Sequence, residues 1–178
     1  MTGFVNRADE LDRLDELFDA DRATLGVVYG RRRLGKTRLV KKALEDHGKT
    51  VFYQARQKTA ELQLEQFIEV AAAEFPGIED IRPDWERLFR YLGDRDAIVI
   101  LDEFPYLIEQ DESLPSVLQA LFDHAFDASS PTFVLVGSSI SMMEEATLLG
   151  DSPLYGRTSM KLDIRPLSFG AATEFLPT

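Results

Sequence analysis

The sequence has no cysteine, only two histidines and no long apolar run. The lack of cysteine excludes disulfides, thiol nucleophiles and zinc sites with thiolate ligands. A membrane-spanning helix needs about 18 or more consecutive apolar residues, and a signal peptide needs a basic segment followed by an apolar one. Neither pattern occurs in the sequence. We therefore expect a cytoplasmic protein that makes no contact with a membrane.

Positive charge is also scarce. The 178 residues include 31 Asp and Glu against 20 Lys and Arg, which gives a formal net charge of -11. A surface of this sign repels nucleic acid and anionic membranes as a whole, although a local basic patch can still bind phosphate. The length and the hydrophobic content of 44% suit one globular domain, and we expect residues 1–178 to form it.

Short apolar runs rich in Val and Ile alternate with longer stretches of helical periodicity. This alternation predicts an α/β fold in which helices cover a parallel sheet, because buried parallel strands are apolar on both faces. We expect Gly48 to end the second helix in the left-handed conformation. The predicted strands are Leu25–Tyr29, Thr50–Tyr53, Ala97–Leu101, Thr132–Val136 and Met160–Ile164. The predicted helices are one capped by Asn6 that runs to Phe18, one from Lys36 to His47, then Glu61–Phe75, Asp84–Leu92, Pro115–Phe126, Ile140–Ala146 and an amphipathic segment Phe169–Phe175.

One octapeptide carries a complete phosphate-binding motif. The string Gly30-Arg31-Arg32-Arg33-Leu34-Gly35-Lys36-Thr37 matches the Walker A pattern G-x-x-x-x-G-K-S/T and lies between a predicted strand and a predicted helix, as that motif requires. In such a loop the backbone N–H groups and the helix N-terminus point at phosphate oxygens. We expect Lys36 to neutralise the β- and γ-phosphates of ATP and the Thr37 hydroxyl to bind Mg²⁺. Arg38 completes the predicted nucleotide-binding set.

A pair of carboxylates follows the third predicted strand. Asp102 and Glu103 come directly after the apolar run Ala97–Leu101, and open α/β sheets bind ligands at the carboxyl ends of their strands. This is a Walker B arrangement. We expect Asp102 to hold Mg²⁺, usually through water, and Glu103 to accept a proton from the attacking water or to orient it. The alternative is an acidic turn that only ends a strand.

The fourth predicted strand ends in Gly137-Ser138-Ser139, where many P-loop ATPases keep a polar sensor of the γ-phosphate. Ser138 or Ser139 could hydrogen-bond the γ-phosphate or the attacking water. Serine is also a common N-cap, here for the helix predicted from Ile140. Sensor and cap have equal weight on the sequence alone, and Ser138 is our candidate for the catalytic role.

Arg157 ends the string Pro153-Leu154-Tyr155-Gly156-Arg157, just before the last predicted strand. A guanidinium there could stabilise charge on the γ-phosphate of its own or a neighbouring subunit, as arginine fingers do. The alternative is a surface ion pair in a protein with many carboxylates. The sequence leaves both open.

Two further groups of side chains have weaker functional signals. Arg31, Arg32 and Arg33 occupy the variable positions of the loop, which usually point outward, so a solvated or partner-facing role is favoured over direct catalysis. His47 and His124 have no second ligand at a suitable spacing, and we interpret them as residues of helix surfaces instead of metal ligands.

Other nucleotide-using classes fit less well. A GTPase needs a guanine-reading N-K-x-D segment, and the nearest string, Met160-Lys161-Leu162-Asp163, lacks the Asn and lies inside a predicted strand. A small-molecule kinase shares Walker A but normally lacks the Asp-Glu pair and carries an Arg-rich lid. A nucleotide-gated switch or interaction module with little turnover stays open.

With these residues in place, the chain resembles the archaeal ATPases of the STAND branch of AAA-like P-loop proteins over nearly its whole length. Beyond the two Walker elements, the resemblance rests on Phe4-Val5-Asn6-Arg7-Ala8-Asp9-Glu10-Leu11, which is similar to the family's R-x-x-E-L element, and on the Pro153–Arg157 string. It implies that Val5, Asn6 and Arg7 lie against the adenine. It also implies a three-layer, RecA/AAA-like fold with a five-stranded parallel sheet in the order 5-1-4-3-2.

Members of that family continue into a helical lid and then a further C-terminal region, and this chain departs from the pattern by ending where the lid should begin. Slow turnover is therefore expected, because adenine contacts and water exclusion are incomplete without a lid. The partner, DNA or protein, would be bound through the further region, and self-association is a second expectation. The residues together predict Mg²⁺-dependent binding and hydrolysis of ATP.

Overall fold

Five parallel strands form one sheet in the computed structural model, which describes residues 7–166 of the chain. The strands are β1 (Thr24–Tyr29), β2 (Thr50–Gln54), β3 (Ile98–Asp102), β4 (Thr132–Gly137) and β5 (Met160–Asp163). Their order across the sheet is β2-β3-β4-β1-β5, which is the predicted order read from the other edge. Each predicted strand is confirmed, with ends that differ by one residue at most.

The helices connect the strands as predicted, with one addition. A short helix, α5, follows β3 directly; the sequence does not predict it, because its seven residues are too few to show a helical period. None of the helices that the structure describes has the length and apolar content to cross a membrane. The helices are α1 (Ala8–Phe18), α2 (Lys36–Leu44), α3 (Ala60–Ala72), α4 (Trp85–Gly93), α5 (Phe104–Gln110), α6 (Leu114–His124) and α7 (Ile140–Met143).

Some predicted helix ends need correction. Gly48 does not take the left-handed conformation; Lys49 does, with φ 57°, because the chain turns there into β2. The helix predicted over Ile140–Ala146 changes after Met143 into a π-helical turn, Glu144–Leu148, in which the Thr147 hydroxyl donates to the Met143 carbonyl over 2.5 Å. Asn6 and the segment Phe169–Phe175 lie outside the described residues.

Helices cover both faces of the sheet, which gives the predicted three layers. The alternation of side chains along each strand sends one set of apolar residues to each face. One face packs on α1 and α2 through a buried cluster: Leu14, Leu17, Phe18, Val28, Leu39, Val40, Ile100, Val134, Val136 and Leu162. The other face packs on α3 to α6 through a larger cluster: Leu25, Val27, Val51, Phe67, Trp85, Phe89, Val99, Leu101, Phe104, Leu118, Phe133 and Leu135.

Aromatic side chains form the centre of the larger cluster. The Phe67 ring on α3 meets Tyr53 on β2 edge-on at 5.6 Å between centroids, and it meets Trp85 and Phe89 on α4 at 5.2 and 5.8 Å. Phe67 is fully buried. It therefore holds α3 and α4 against the same strand.

We predict that Phe67→Ala lowers the free energy of unfolding by about 3–5 kcal/mol, because it leaves a cavity between three rings. Leu62 lies on the same helix but is 45% exposed, so Leu62→Ala should change the free energy by no more than about 0.5 kcal/mol. Denaturant titration followed by the fluorescence of Trp85, the single tryptophan, measures both values. Equal losses in the two variants would contradict this placement of α3.

Candidate functional site

The predicted site residues meet at the carboxyl ends of the strands. The loop that contains Gly30 and Gly35 follows β1, Asp102 ends β3, and Ser138 follows β4. The register aligns these ends, because Tyr29 lies opposite Gly137 and Asp102 lies opposite Val136. The polar residues at the ends of these three neighbouring parallel strands therefore lie side by side at the carboxyl end of the sheet.

The loop between β1 and α2 depends on backbone conformations that favour glycine. Gly30 has φ 154°, and a Cβ there would collide with the carbonyl oxygen of Ile164, so the residue that follows β5 approaches too closely for any side chain. Gly35 has φ 85° at the N-cap of α2; an added methyl group there would meet no heavy atom within 4 Å, so the backbone conformation alone favours glycine. The loop thus curves tightly, and the first N–H groups of α2 have no partner within the helix itself.

Lys36 is the first residue of α2 and is only 5% exposed. Its Nζ donates to the Arg31 carbonyl oxygen over 2.7 Å, so the side chain folds back across the loop. Burial lowers the pKa of Lys36, while the carboxylates of Glu103 and Asp102 act in the opposite direction. The site therefore holds a poorly solvated cation at the position that the motif predicts.

Asp102 is almost completely buried and accepts two hydrogen bonds. The Thr37 hydroxyl donates to its Oδ2 over 2.7 Å, and the Glu103 backbone N–H donates to its Oδ1 over 2.9 Å. Burial raises the pKa of Asp102, and the bond from Thr37 partly offsets this effect. A hydroxyl and a carboxylate side by side are hard oxygen ligands of the kind that Mg²⁺ takes alongside water and phosphate, so these residues fit the metal.

Glu103 occupies a strained backbone position between β3 and α5. It has φ 54° and ψ 45°, a left-handed conformation that costs energy for a residue with a side chain. The Ser138 hydroxyl donates to its Oε1 over 2.8 Å. Ser139 instead stands at the N-cap position of α7, where its side chain makes no capping bond. The structure thus brings Ser138 to the carboxylates and Ser139 to the helix start.

Two cavities flank the loop. We call the first the phosphate cradle: it has a volume of about 200 Å³ and is lined by Arg32, Arg33, Gly35, Lys36, Thr37, Arg38, Glu103 and Ser138. The second, which we call the β5 cleft, has about 420 Å³ and is lined by Gly30, Arg31, Leu34, Ile140, Asp163, Ile164, Arg165 and Pro166. The residues that line the cradle are polar or charged except for Gly35, and the surface of the β5 cleft is largely apolar, as phosphates and a base would need.

The start of α1 approaches the β5 cleft. Arg7, the first described residue, donates from Nη2 to the Arg165 carbonyl oxygen over 3.0 Å. Val5 and Asn6, which the resemblance also places at the adenine, lie outside the described residues.

Arg157 does not reach the loop. Its Nε and Nη2 donate to the two carboxylate oxygens of Asp123 over 2.9 and 2.8 Å. It precedes β5, and the neighbouring Ser159 N–H donates to the Leu25 carbonyl near the start of β1, roughly 17 Å along the strand from Gly30. We therefore correct the expectation that Arg157 reaches a γ-phosphate bound to its own chain. Within the chain, Arg157 forms a surface ion pair, which was the alternative interpretation.

The structure also gives the positions of the remaining candidates, the loop arginines and the two histidines. Arg31, Arg32 and Arg33 are exposed, as expected of variable loop positions. His47 is not on a helix as expected, because α2 ends at Leu44; it follows α2 and packs against α1, with its Nε2 3.2 Å from Asp15 Oδ1. His124 is the last residue of α6.

Sequence reasoning missed Arg56 and Tyr106, and it did not connect Arg32 with them, although all three lie next to Glu103 on the β2 side. Arg32 donates from Nη2 to the Tyr106 hydroxyl of α5 over 3.2 Å, and Arg56 lies in the segment that follows β2. The strand-end rule that indicated Asp102 applies equally to β2, whose last residue, Gln54, is aligned with Asp102. The end of β2 therefore carries the signal that could have indicated Arg56.

Comparisons with known proteins agree with this fold. The model of a family described as an ATPase domain predominantly from Archaea matches residues 4–178. An uncharacterized protein of Methanocaldococcus jannaschii is 39% identical over 174 residues, which are 98% of this chain and 38% of that protein. The chain thus spans well under half the length of that relative.

Two solved structures share the fold. The Walker-type ATPase PABY2304 of Pyrococcus abyssi has a TM-score of 0.74 at 20% identity, over 96% of this chain and 56% of that one. The ORC2 protein of Aeropyrum pernix, in ADPNP–ADP complexes, has a TM-score of 0.63 at 17% identity, over 89% of this chain and 48% of that one. At such identities the likeness shows the fold alone.

We predict that Asp102→Asn raises the free energy of unfolding of the nucleotide-free protein at pH 7. The folded-state pKa of Asp102 lies above its ordinary value of 3.8, so the ionised carboxylate costs stability at neutral pH. That cost disappears as the pH falls through the raised pKa, and the advantage of the variant should shrink with it. Denaturant titration between pH 7 and pH 4 measures the difference.

Asp123→Asn is a control of opposite sign. Its hydrogen bonds from Arg157 lower the pKa of Asp123, so the ionised form stabilises the fold. This variant should lose stability at pH 7, and the loss should persist down to pH 4, because the lowered pKa lies below the ordinary value of 3.8. A loss of stability at pH 7 in Asp102→Asn as well would show that buried charge is not the dominant effect at Asp102.

Proposed function

The chain belongs to the family of ATPase domains found predominantly in Archaea, and on that premise we propose that it binds ATP with Mg²⁺ and hydrolyses the bond between the β- and γ-phosphates. One observation carries the proposal. Lys36, Thr37, Glu103 and Ser138 line one small cavity, and the Asp102 carboxylate accepts a hydrogen bond from the Thr37 hydroxyl. No other group of described residues unites a metal-binding pair, a buried cation and a base in this way.

The two cavities suggest how the nucleotide lies. Its phosphates would enter the cradle, where the first N–H groups of α2 and its positive dipole end face them. Lys36 would exchange its bond to the Arg31 carbonyl for bonds to phosphate oxygens. The base would lie in the β5 cleft beside Arg7, with Val5 and Asn6 added from the N-terminal element.

Hydrolysis would use the carboxylates at the end of β3. Thr37 and Asp102 would hold Mg²⁺, which neutralises charge on phosphate oxygens when it is bound. Glu103, kept in place by Ser138, would orient a water and take its proton as the water oxygen bonds to the γ-phosphorus. The bond to the bridging oxygen then breaks, and ADP and inorganic phosphate are the products.

A nucleotide-gated switch with little turnover is a second candidate. The observation that favours it is the hydrogen bond from Ser138 to Glu103, which occupies the carboxylate that should act as base. Opening of this bond when nucleotide binds would then be the functional event. A small-molecule kinase stays less favoured, since the Asp102-Glu103 pair is typical of ATPases.

The wider biology also belongs to the proposal. We assign the domain to the STAND branch of AAA-like proteins, as the three arginines of its loop suggest, and to the cytoplasm. Its partner, DNA or protein, would be recruited by the region that the longer relative has beyond this domain. Self-association would give Arg157 a route to the site of a neighbouring subunit.

We predict that Lys36→Ala weakens ATP binding at least about tenfold, because it removes a buried, charge-assisted contact to phosphate. Lys41→Ala is the matched control: Lys41 lies on the same helix, is exposed and should leave the affinity unchanged. Isothermal titration calorimetry with ATP and Mg²⁺ measures both. Equal affinity in wild type and Lys36→Ala would sink the proposed binding mode.

We predict that Glu103→Gln retains ATP binding but slows phosphate release at least about a hundredfold, because the amide cannot accept the proton of water. Glu109→Gln removes an exposed carboxylate from the following helix and should not alter the rate. Release of phosphate from ATP is measured at saturating ATP and Mg²⁺. A wild type that binds ATP without releasing phosphate would favour the switch, whereas an unchanged rate in Glu103→Gln would remove this residue from the mechanism.

A further inference from the structure

A third cavity lies beside Glu103, on the side away from the β5 cleft. It has a volume of about 450 Å³, more than twice that of the phosphate cradle, and it shares Arg32 and Glu103 with the cradle. We call it the side cleft. Its other lining residues are Gln54, Ala55, Arg56, Gln57 and Tyr106. The proposed binding of ATP leaves this space unused.

The side cleft carries net positive charge in an acidic chain. Arg32 and Arg56 face a single carboxylate, that of Glu103, which the Ser138 hydroxyl already engages. The Arg56 guanidinium makes no hydrogen bond or ion pair within residues 7–166, although the sequence has 31 carboxylates. An exposed arginine left unpaired at the mouth of a polar cavity is available for an anion.

The segment that carries Arg56 is held in place by buried polar groups. Gln63 on α3 is only 1% exposed, and its amide donates to the Arg56 carbonyl oxygen while its own oxygen accepts from the Tyr53 hydroxyl. Burial raises the pKa of Tyr53 to about 12, which keeps this hydroxyl protonated as a donor. The Ala55 N–H donates to the Asp102 carbonyl over 2.9 Å. The segment is therefore fixed relative to β3 and Glu103.

We propose that the side cleft binds a phosphate-type oxyanion next to the γ-phosphate position, with Arg56 and Arg32 as its charged donors. Guanidinium groups match the oxygens of phosphate through paired N–H donors, and the Gln54 and Gln57 amides add neutral ones. The oxyanion is either inorganic phosphate released from ATP or the phosphoryl group of a second small molecule. The inference rests on the proposed function, because it requires a nucleotide in the loop.

The test titrates inorganic phosphate into the full chain saturated with ADP and Mg²⁺, so that the β-phosphate already fills the loop. Calorimetry should detect phosphate binding to wild type, with affinity reduced at least about tenfold in Arg56→Gln and in Arg32→Gln. Arg56→Lys keeps the charge and should retain most of the affinity. Lys58→Gln, in the same segment but outside the lining, is the charge-matched control and should bind like wild type.

The outcomes separate the two sources and the two hypotheses. Competition by glycerol phosphate would support a second phosphorylated substrate, and binding of inorganic phosphate alone would support a product site. No binding in the presence of ADP, or equal affinity in wild type and both arginine variants, would overturn the side cleft as an anion site. Phosphate release from ATP is measured separately: its absence would sink the hydrolysis proposal alone, and its presence without phosphate binding would sink this inference alone.

Discussion

The hydrogen bond between Thr37 and Asp102 is the contact on which the site depends. It joins the start of α2 to the end of β3, across β4, so it fixes the phosphate loop relative to the carboxylates. The two side chains come within 2.7 Å of each other only because the register aligns the carboxyl ends of β1, β4 and β3. A shift of register by one residue would turn Asp102 to the other face of the sheet and separate the metal-binding pair.

Lys36 and Asp102 occupy positions where burial disfavours their charged forms. Burial shifts the pKa of Lys36 down and that of Asp102 up, so each group is displaced towards its neutral form. The Lys36 ammonium lies on a carbonyl oxygen instead of a carboxylate, which leaves its charge only partly compensated. A triphosphate and Mg²⁺ would supply the missing opposite charges. The fold thus accepts an electrostatic cost in the free protein that ligand binding would relieve.

Sequence reasoning found the strands and the phosphate loop because each has a strong local signal. Apolar runs bounded by turn residues located β1 to β5 within one residue, and the Walker A string carries its chemistry in its own spacing. Arg157 has no such local signal: its distance from the loop depends on the direction of β5 and on the presence of Asp123 on a separate helix. The side cleft was missed for a similar reason, since Arg56, Tyr106 and Arg32 come from three separate segments.

The distribution of charge explains how an acidic chain can hold a polyanion. The net charge of -11 repels anions at a distance, but salt screens this repulsion beyond about 8–10 Å. Within the cradle the relevant groups are closer than that: Lys36, three arginines and the N-terminus of α2 outnumber Glu103 and the adjacent Asp102, which accepts from Thr37. Arg157 forms an ion pair with Asp123 near the amino ends of the strands. Arg56, in contrast, has no carboxylate partner among the residues that the structure describes. The cations of the cradle and of the side cleft therefore lie on the side of the molecule where phosphate would bind, and the surrounding acidity would disfavour nonspecific anions elsewhere.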